Sequence, residues 1–212
     1  MTTSNAIHPP TGVPTGALVG RRRTPVRAPL RWAGYAASAW AIAYAVLVRG
    51  YQAAGGTIGL SGALADEAGL RRASLLAGIF ILLVGVGALA FVRPWGLRIA
   101  RWLIIVPALG GSAWAIAHAV TAYVTKPLHA LGVIDLEFKG WATLDEGGLI
   151  LWDLLFYEPW FLGMGVLVTL GALHHHARTG GSRAGARRLL GATAAAALAL
   201  SALAIWMVIA GA

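Results

Sequence analysis

Residues 149–173 read LILWDLLFYEPWFLGMGVLVTLGAL, a run long and apolar enough to cross a bilayer. Asp153, Glu158 and Pro159 interrupt it, set among Trp152, Phe156, Tyr157, Trp160 and Phe161. A carboxylate at membrane depth is costly, so it marks a functional site by default. Outward from this stretch the pattern recurs, with apolar segments near 30–48, 73–92, 102–123 and 189–210. The chain of 212 residues is 58% hydrophobic and 12% charged, whereas soluble domains carry about 25% charged residues. The expected fold is all-α: a polytopic membrane helical bundle of about five transmembrane helices.

Residues 1–29 are rich in Pro, Thr, Gly and Arg and lack apolar periodicity, which predicts a disordered basic tail. Residues 30–212 form the expected integral membrane domain. Its first apolar segment exceeds the roughly 7–15 residues of a signal-peptide core, so it reads as a retained span. Residues 49–72, with the Gly-rich centre GGTIGLSG, read as an exposed loop and not a phosphate loop, because no Gly-Lys-Ser/Thr follows.

The formal charge of +9 does not point to nucleic acid, because the basic residues flank apolar spans. Twelve of the 17 Lys and Arg residues fall in the tail and the second and fourth connections, and five in the first and third. The positive-inside rule then predicts a cytoplasmic N-terminus and, after five spans, an outside C-terminus. Every acidic residue lies on the expected outer side. The expected location is the bacterial inner membrane, as a multi-pass protein in contact with membrane lipids. Absence of cysteine excludes disulfides, thiolate metal sites and thiol nucleophiles.

Helix rise of about 1.5 Å per residue places Asp153 roughly 6 Å and Glu158 about 13 Å into the fourth span. By the same rise, Trp40 and Trp114 fall near the depth of Glu158, with Tyr44 and His118 closer to the mouth. An outer interfacial belt is the other reading of Tyr44, and a packing role is the other reading of His118. Asp153, Tyr157 and Trp160 share an α-helical face. Five-residue spacing turns Glu158 about 140° from Asp153, so no close acid pair is expected. Pro159 removes one helical hydrogen bond and is expected to free the carbonyl of Leu155. These residues predict an outward-opening pocket built from spans one, three and four.

Spans one and three repeat each other: 38–46 is SAWAIAYAV and 112–120 is SAWAIAHAV. Either a two-span unit has been duplicated, or two helices have converged on one packing stripe. In span one, Gly34, Ala37, Ala41 and Ala45 form a small-residue face suited to close packing. Gly110, Gly111 and Ser112 are expected to admit a neighbour to span three. No second His lies at the depth of His118, so no haem or other cofactor is expected. The adjacent His174, His175 and His176 read as a solvated cluster and not a metal site, since neighbouring helical positions point apart.

The stretches Trp40-Ala41-Ile42-Ala43-Tyr44, Tyr51, Gly55-Gly56-Thr57, Gly59-Leu60 and Phe156-Tyr157-Glu158-Pro159-Trp160-Phe161-Leu162 resemble a family of small bacterial multi-pass membrane proteins of uncharacterised function. The resemblance implies a membrane fold and lends no activity. In design, without a motif match, the acid among aromatic rings is also similar to integral membrane terpene cyclases.

Three functional readings stand. The first is a protein that binds or moves a small apolar or cationic ligand, with Glu158 as the protonatable group and Trp40, Tyr44, Trp114, His118, Tyr157 and Trp160 around it. The second is a membrane enzyme using Glu158, with Asp153 nearer the mouth, as general acid on an isoprenoid-like substrate. The aromatic faces would then stabilise a developing cation. The third is a structural membrane subunit.

Overall fold

A computed structural model describes residues 30–210; the basic tail 1–29 lies outside the described residues. Five helical rods form a bundle. Helix α1 joins an α-helical part, Arg31–Ala43, to a π-helical part, Tyr44–Gly50, and a last turn, Tyr51–Ala53. Helices α2 (Glu67–Phe91), α3 (Arg101–Ala130), α4 (Glu146–Arg178) and α5 (Arg183–Ala210) are each long and apolar enough to cross a membrane. Helix α1 is not among those four. The helical membrane-type bundle read from the apolar blocks is therefore what the chain forms, with four such helices.

Helix α4 sits at the centre, with α1 packed on one side and α3 on another; α2 flanks α1, and α5 flanks α3. The small face of α1 explains its closeness to its neighbours. Ala37 and Ala41 are fully buried, and Gly34 lies so near Val92 that a Cβ would stand 2.6 Å from its Cγ1. Outward faces carry large apolar side chains, among them Leu76, Phe80, Leu198 and Trp206, as lipid-facing helix surfaces require. Buried hydroxyls satisfy themselves locally. Ser112, Thr169 and Ser201 donate to the carbonyls four residues earlier at 2.7, 2.8 and 2.8 Å, which removes the cost of an unpaired donor in an apolar medium.

One expectation about the connections is corrected. Residues 49–72 are not an open loop: α1 runs on to Ala53, and α2 begins at Glu67, capped by Asp66, whose carboxylate accepts from the Gly69 N–H at 2.8 Å. Asp145 caps α4 in the same way through Gly148 at 3.0 Å. Such N-terminal caps account for acidic residues at helix starts. A short two-stranded ribbon accompanies the helices of this all-α bundle. Strand β1 (Gly62–Leu64) pairs antiparallel with β2 (Trp141–Leu144), with Gly62 opposite Leu144. This ribbon ties the first and third connections together at one end of the bundle.

At the other end, the Arg178 guanidinium donates to the Phe91 carbonyl at 2.7 Å, joining the C-terminal ends of α2 and α4. The acidic connections and the arginine-rich ends thus occupy opposite poles, as an alternating up-and-down bundle demands.

Candidate functional site

Two π-helical stretches, Tyr44–Gly50 in α1 and Asp153–Tyr157 in α4, line one cavity of about 290 Å³. π-turns are uncommon and cluster at functional sites. The one in α4 corrects the sequence reading of the two carboxylates. In a π-turn the backbone bonds run from residue i+5 to i, and the Glu158 N–H indeed reaches the Asp153 carbonyl. Residues five apart are thereby brought closer to one face than in an α-helix. Asp153 and Glu158 converge on one cation: Lys126 Nζ lies 2.6 Å from Asp153 Oδ2 and 3.4 Å from Glu158 Oε1.

The same register decides which carbonyl Pro159 frees. The next bond in the π ladder would run from residue 159 to Leu154, and proline has no N–H. The Leu154 carbonyl, which proline leaves without that donor, accepts from the Tyr123 hydroxyl at 3.0 Å.

Glu158 is 2% exposed. Its Oε1 faces Lys126 and, at 3.6 Å, His118 Nε2. Its Oε2 is buried with no hydrogen-bond partner among the described residues. A buried acceptor left empty is unfavourable, so this atom is the unfilled position of the site. His118, Lys126 and Glu158 also line a second cavity of about 420 Å³, whose far wall is Leu200, Leu203 and Met207 of α5. The last helix therefore contributes a wall.

The aromatic residues assemble around α4. Trp40 Nε1 donates to the Trp160 carbonyl at 2.9 Å, and its ring lies 4.3 Å from that of Trp160. Tyr44 is fully buried against Trp160 and Phe161 at 5.5 and 5.7 Å, which excludes the interfacial-belt reading. From the opposite side Trp114 stacks on His118 at 5.5 Å, and His118 meets Phe161 at 4.6 Å. The matched pairs Trp40/Tyr44 and Trp114/His118 of the sequence repeat thus grip neighbouring residues of one helix. The repeated isoleucines correspond too: Ile42 fills a notch at Gly85 of α2, and Ile116 one at Gly165 of α4. Gly110 and Gly111, expected to admit a neighbour, instead have open space beside them among the described residues.

Tyr157 closes the cavity on the ribbon side. Its hydroxyl accepts from Gln52 Nε2 at 3.1 Å and donates to the Gly59 carbonyl at 3.4 Å. Gly59 has φ +85°, and a Cβ there would run into the Tyr157 hydroxyl, so only glycine fits. The Gly-rich connection is accordingly a cover for the site.

The structure brings Asp153, Glu158, Trp40, Tyr44, Trp114, His118, Tyr157 and Trp160, all named from the sequence, around one centre, together with Lys126, Arg49 and Gln52, which the sequence reading did not name. Lys126 follows His118 by eight residues, two helical turns along the same face, a signal hidden by ending span three at Tyr123. The three consecutive histidines are a further correction: His174, His175 and His176 are 4%, 0% and 6% exposed, not solvated. They point apart, His175 toward Phe91 and His176 toward the Ser182 carbonyl.

No protein-family model, curated protein or solved structure matches the chain.

Proposed function

We propose that the chain is an integral membrane protein that binds a small, mainly apolar ligand whose polar end donates a hydrogen bond to Glu158. One observation carries this reading: the partnerless Oε2 of Glu158, in a residue that lines two cavities walled by aromatic and aliphatic side chains. Lys126 already stands between Asp153 and Glu158, where a ligand cation would otherwise sit. Two cations, Arg49 and Lys126, balance the two carboxylates of the first cavity. A neutral ligand with one donor therefore suits the site better than a charged one, since an added unpaired charge is costly there.

Farnesol, an isoprenoid alcohol, and its methyl ether, which lacks the donor, serve as probes. Binding is read from tryptophan fluorescence of the protein in lipid nanodiscs. A hydrogen bond to a charged group contributes about 1.5–3 kcal/mol, so farnesol should bind at least about tenfold tighter than the ether. Glu158→Leu should erase that difference. Equal affinities for the two probes in the unsubstituted protein would overturn the reading.

A further inference from the structure

At the pole opposite Glu158, a cavity of about 540 Å³ is lined by Arg31, Tyr35, Arg93, His174 and Arg178. The guanidinium groups of Arg31 and Arg93 stand 5.8 and 5.7 Å from the Tyr35 ring centroid, and Arg31 Nη2 donates to the Tyr35 hydroxyl at 3.4 Å. Arg178 is held by its bond to the Phe91 carbonyl. Three cations are thus fixed around one space, and like charges so placed repel. No carboxylate offsets them among the described residues. All eight acidic residues lie between positions 66 and 158, none in the first 29, and no ion pair to Arg31, Arg93 or Arg178 occurs among the described residues.

Two further observations point to a missing anion. Arg31 is the first residue of α1, where the positive end of the helix dipole disfavours a cation, and Leu30 before it supplies no side-chain cap. His174, 4% exposed and lining the same cavity, has a buried Nδ1 with no partner among the described residues. Guanidinium forks around one cavity and a helix start with no side-chain cap among the described residues match the tetrahedral oxygens of a phosphate group, with the unpaired imidazole of His174 beside them.

We infer that this cavity binds the phosphate of an anionic lipid headgroup, with Arg31, Arg93 and Arg178 as its counter-charges and His174 as an additional hydrogen-bonding group. Helix ends surround the space, as in basic pockets that hold lipid headgroups at a membrane face. The site is independent of Glu158.

The test uses the full chain in detergent, with phosphatidylglycerol, phosphatidylcholine and inorganic phosphate as separate probes, and bound species counted by native mass spectrometry. Phosphatidylglycerol should bind the unsubstituted protein at least tenfold tighter than the Arg31→Gln/Arg93→Gln variant, and phosphatidylcholine should not distinguish them. Both replaced residues are exposed, so the variant retains its core; unchanged helical content verifies this. A control variant, Arg98→Gln/Arg183→Gln, removes as much charge from exposed positions outside the cavity and should bind phosphatidylglycerol as the unsubstituted protein does. Millimolar inorganic phosphate should fail to displace the lipid; displacement would assign a soluble phosphate ester in place of a lipid and overturn that part of the inference. Equal loss of lipid in the control and the cavity variant would show diffuse attraction and sink the site, as would undiminished binding by the cavity variant.

Discussion

The Tyr123 hydroxyl donates to the main-chain carbonyl of Leu154 at 3.0 Å, and Pro159 is the reason that carbonyl is available. The π-turn shifts the backbone register by one residue, so proline's missing N–H falls opposite Leu154. Tyr123→Phe should lower stability by about 1 kcal/mol, the usual net value of one hydrogen bond. Pro159→Ala restores a donor to the ladder and should reduce the cost of Tyr123→Phe. A double-mutant cycle read by thermal unfolding in detergent checks the coupling; additive effects would refute the link.

Lys126 holds the Asp153 and Glu158 carboxylates of α4, and its side chain is only 15% exposed. Removing one partner of a buried ionic group typically costs about 3–5 kcal/mol. Lys126→Met should therefore destabilise the bundle by about 3 kcal/mol, measured by thermal or denaturant unfolding in detergent. Adding Asp153→Asn and Glu158→Gln should recover much of that loss. If the triple variant is as unstable as the single one, Lys126 acts through packing instead of charge.

Glycine positions separate tight helix contacts from open ones. A Cβ on Gly165 would stand 2.6 Å from Ile116 Cγ1 and 3.0 Å from the Ser112 carbonyl oxygen. Gly165→Ala should destabilise by about 1–3 kcal/mol through overpacking. Gly111→Ala meets nothing among the described residues and should stabilise by up to about 1 kcal/mol, the gain in helix propensity. Unfolding midpoints of the two variants should move in opposite directions.

Five spans, with α1 crossing, place the two termini on opposite sides of the membrane. The arginine-rich pole holding Arg31, Arg93 and Arg178 would then face the cytoplasm. A reporter active only outside the cytoplasm, fused after Ala212, should be active. An inactive fusion would favour four crossings, with α1 not spanning.

The sequence by itself determined the helical bundle, because long apolar blocks separated by charged turns leave no other way to satisfy the backbone in lipid. It also singled out a candidate site: an acid among aromatics is rare enough in apolar segments that Glu158 and its neighbours stood out. The pairs that the repeat aligns, Trp40/Tyr44 and Trp114/His118, grip α4 from two sides. Only the tertiary structure decided how the two carboxylates relate. An α-helical wheel separates Asp153 from Glu158, whereas the π-turn brings them both to Lys126, a residue contributed by another helix. Backbone register and long-range ion pairing depend on what packs against a segment, and no local spacing encodes them. The stretch 149–173 was therefore legible as the place of a candidate site, while its geometry was settled by the helices that surround it.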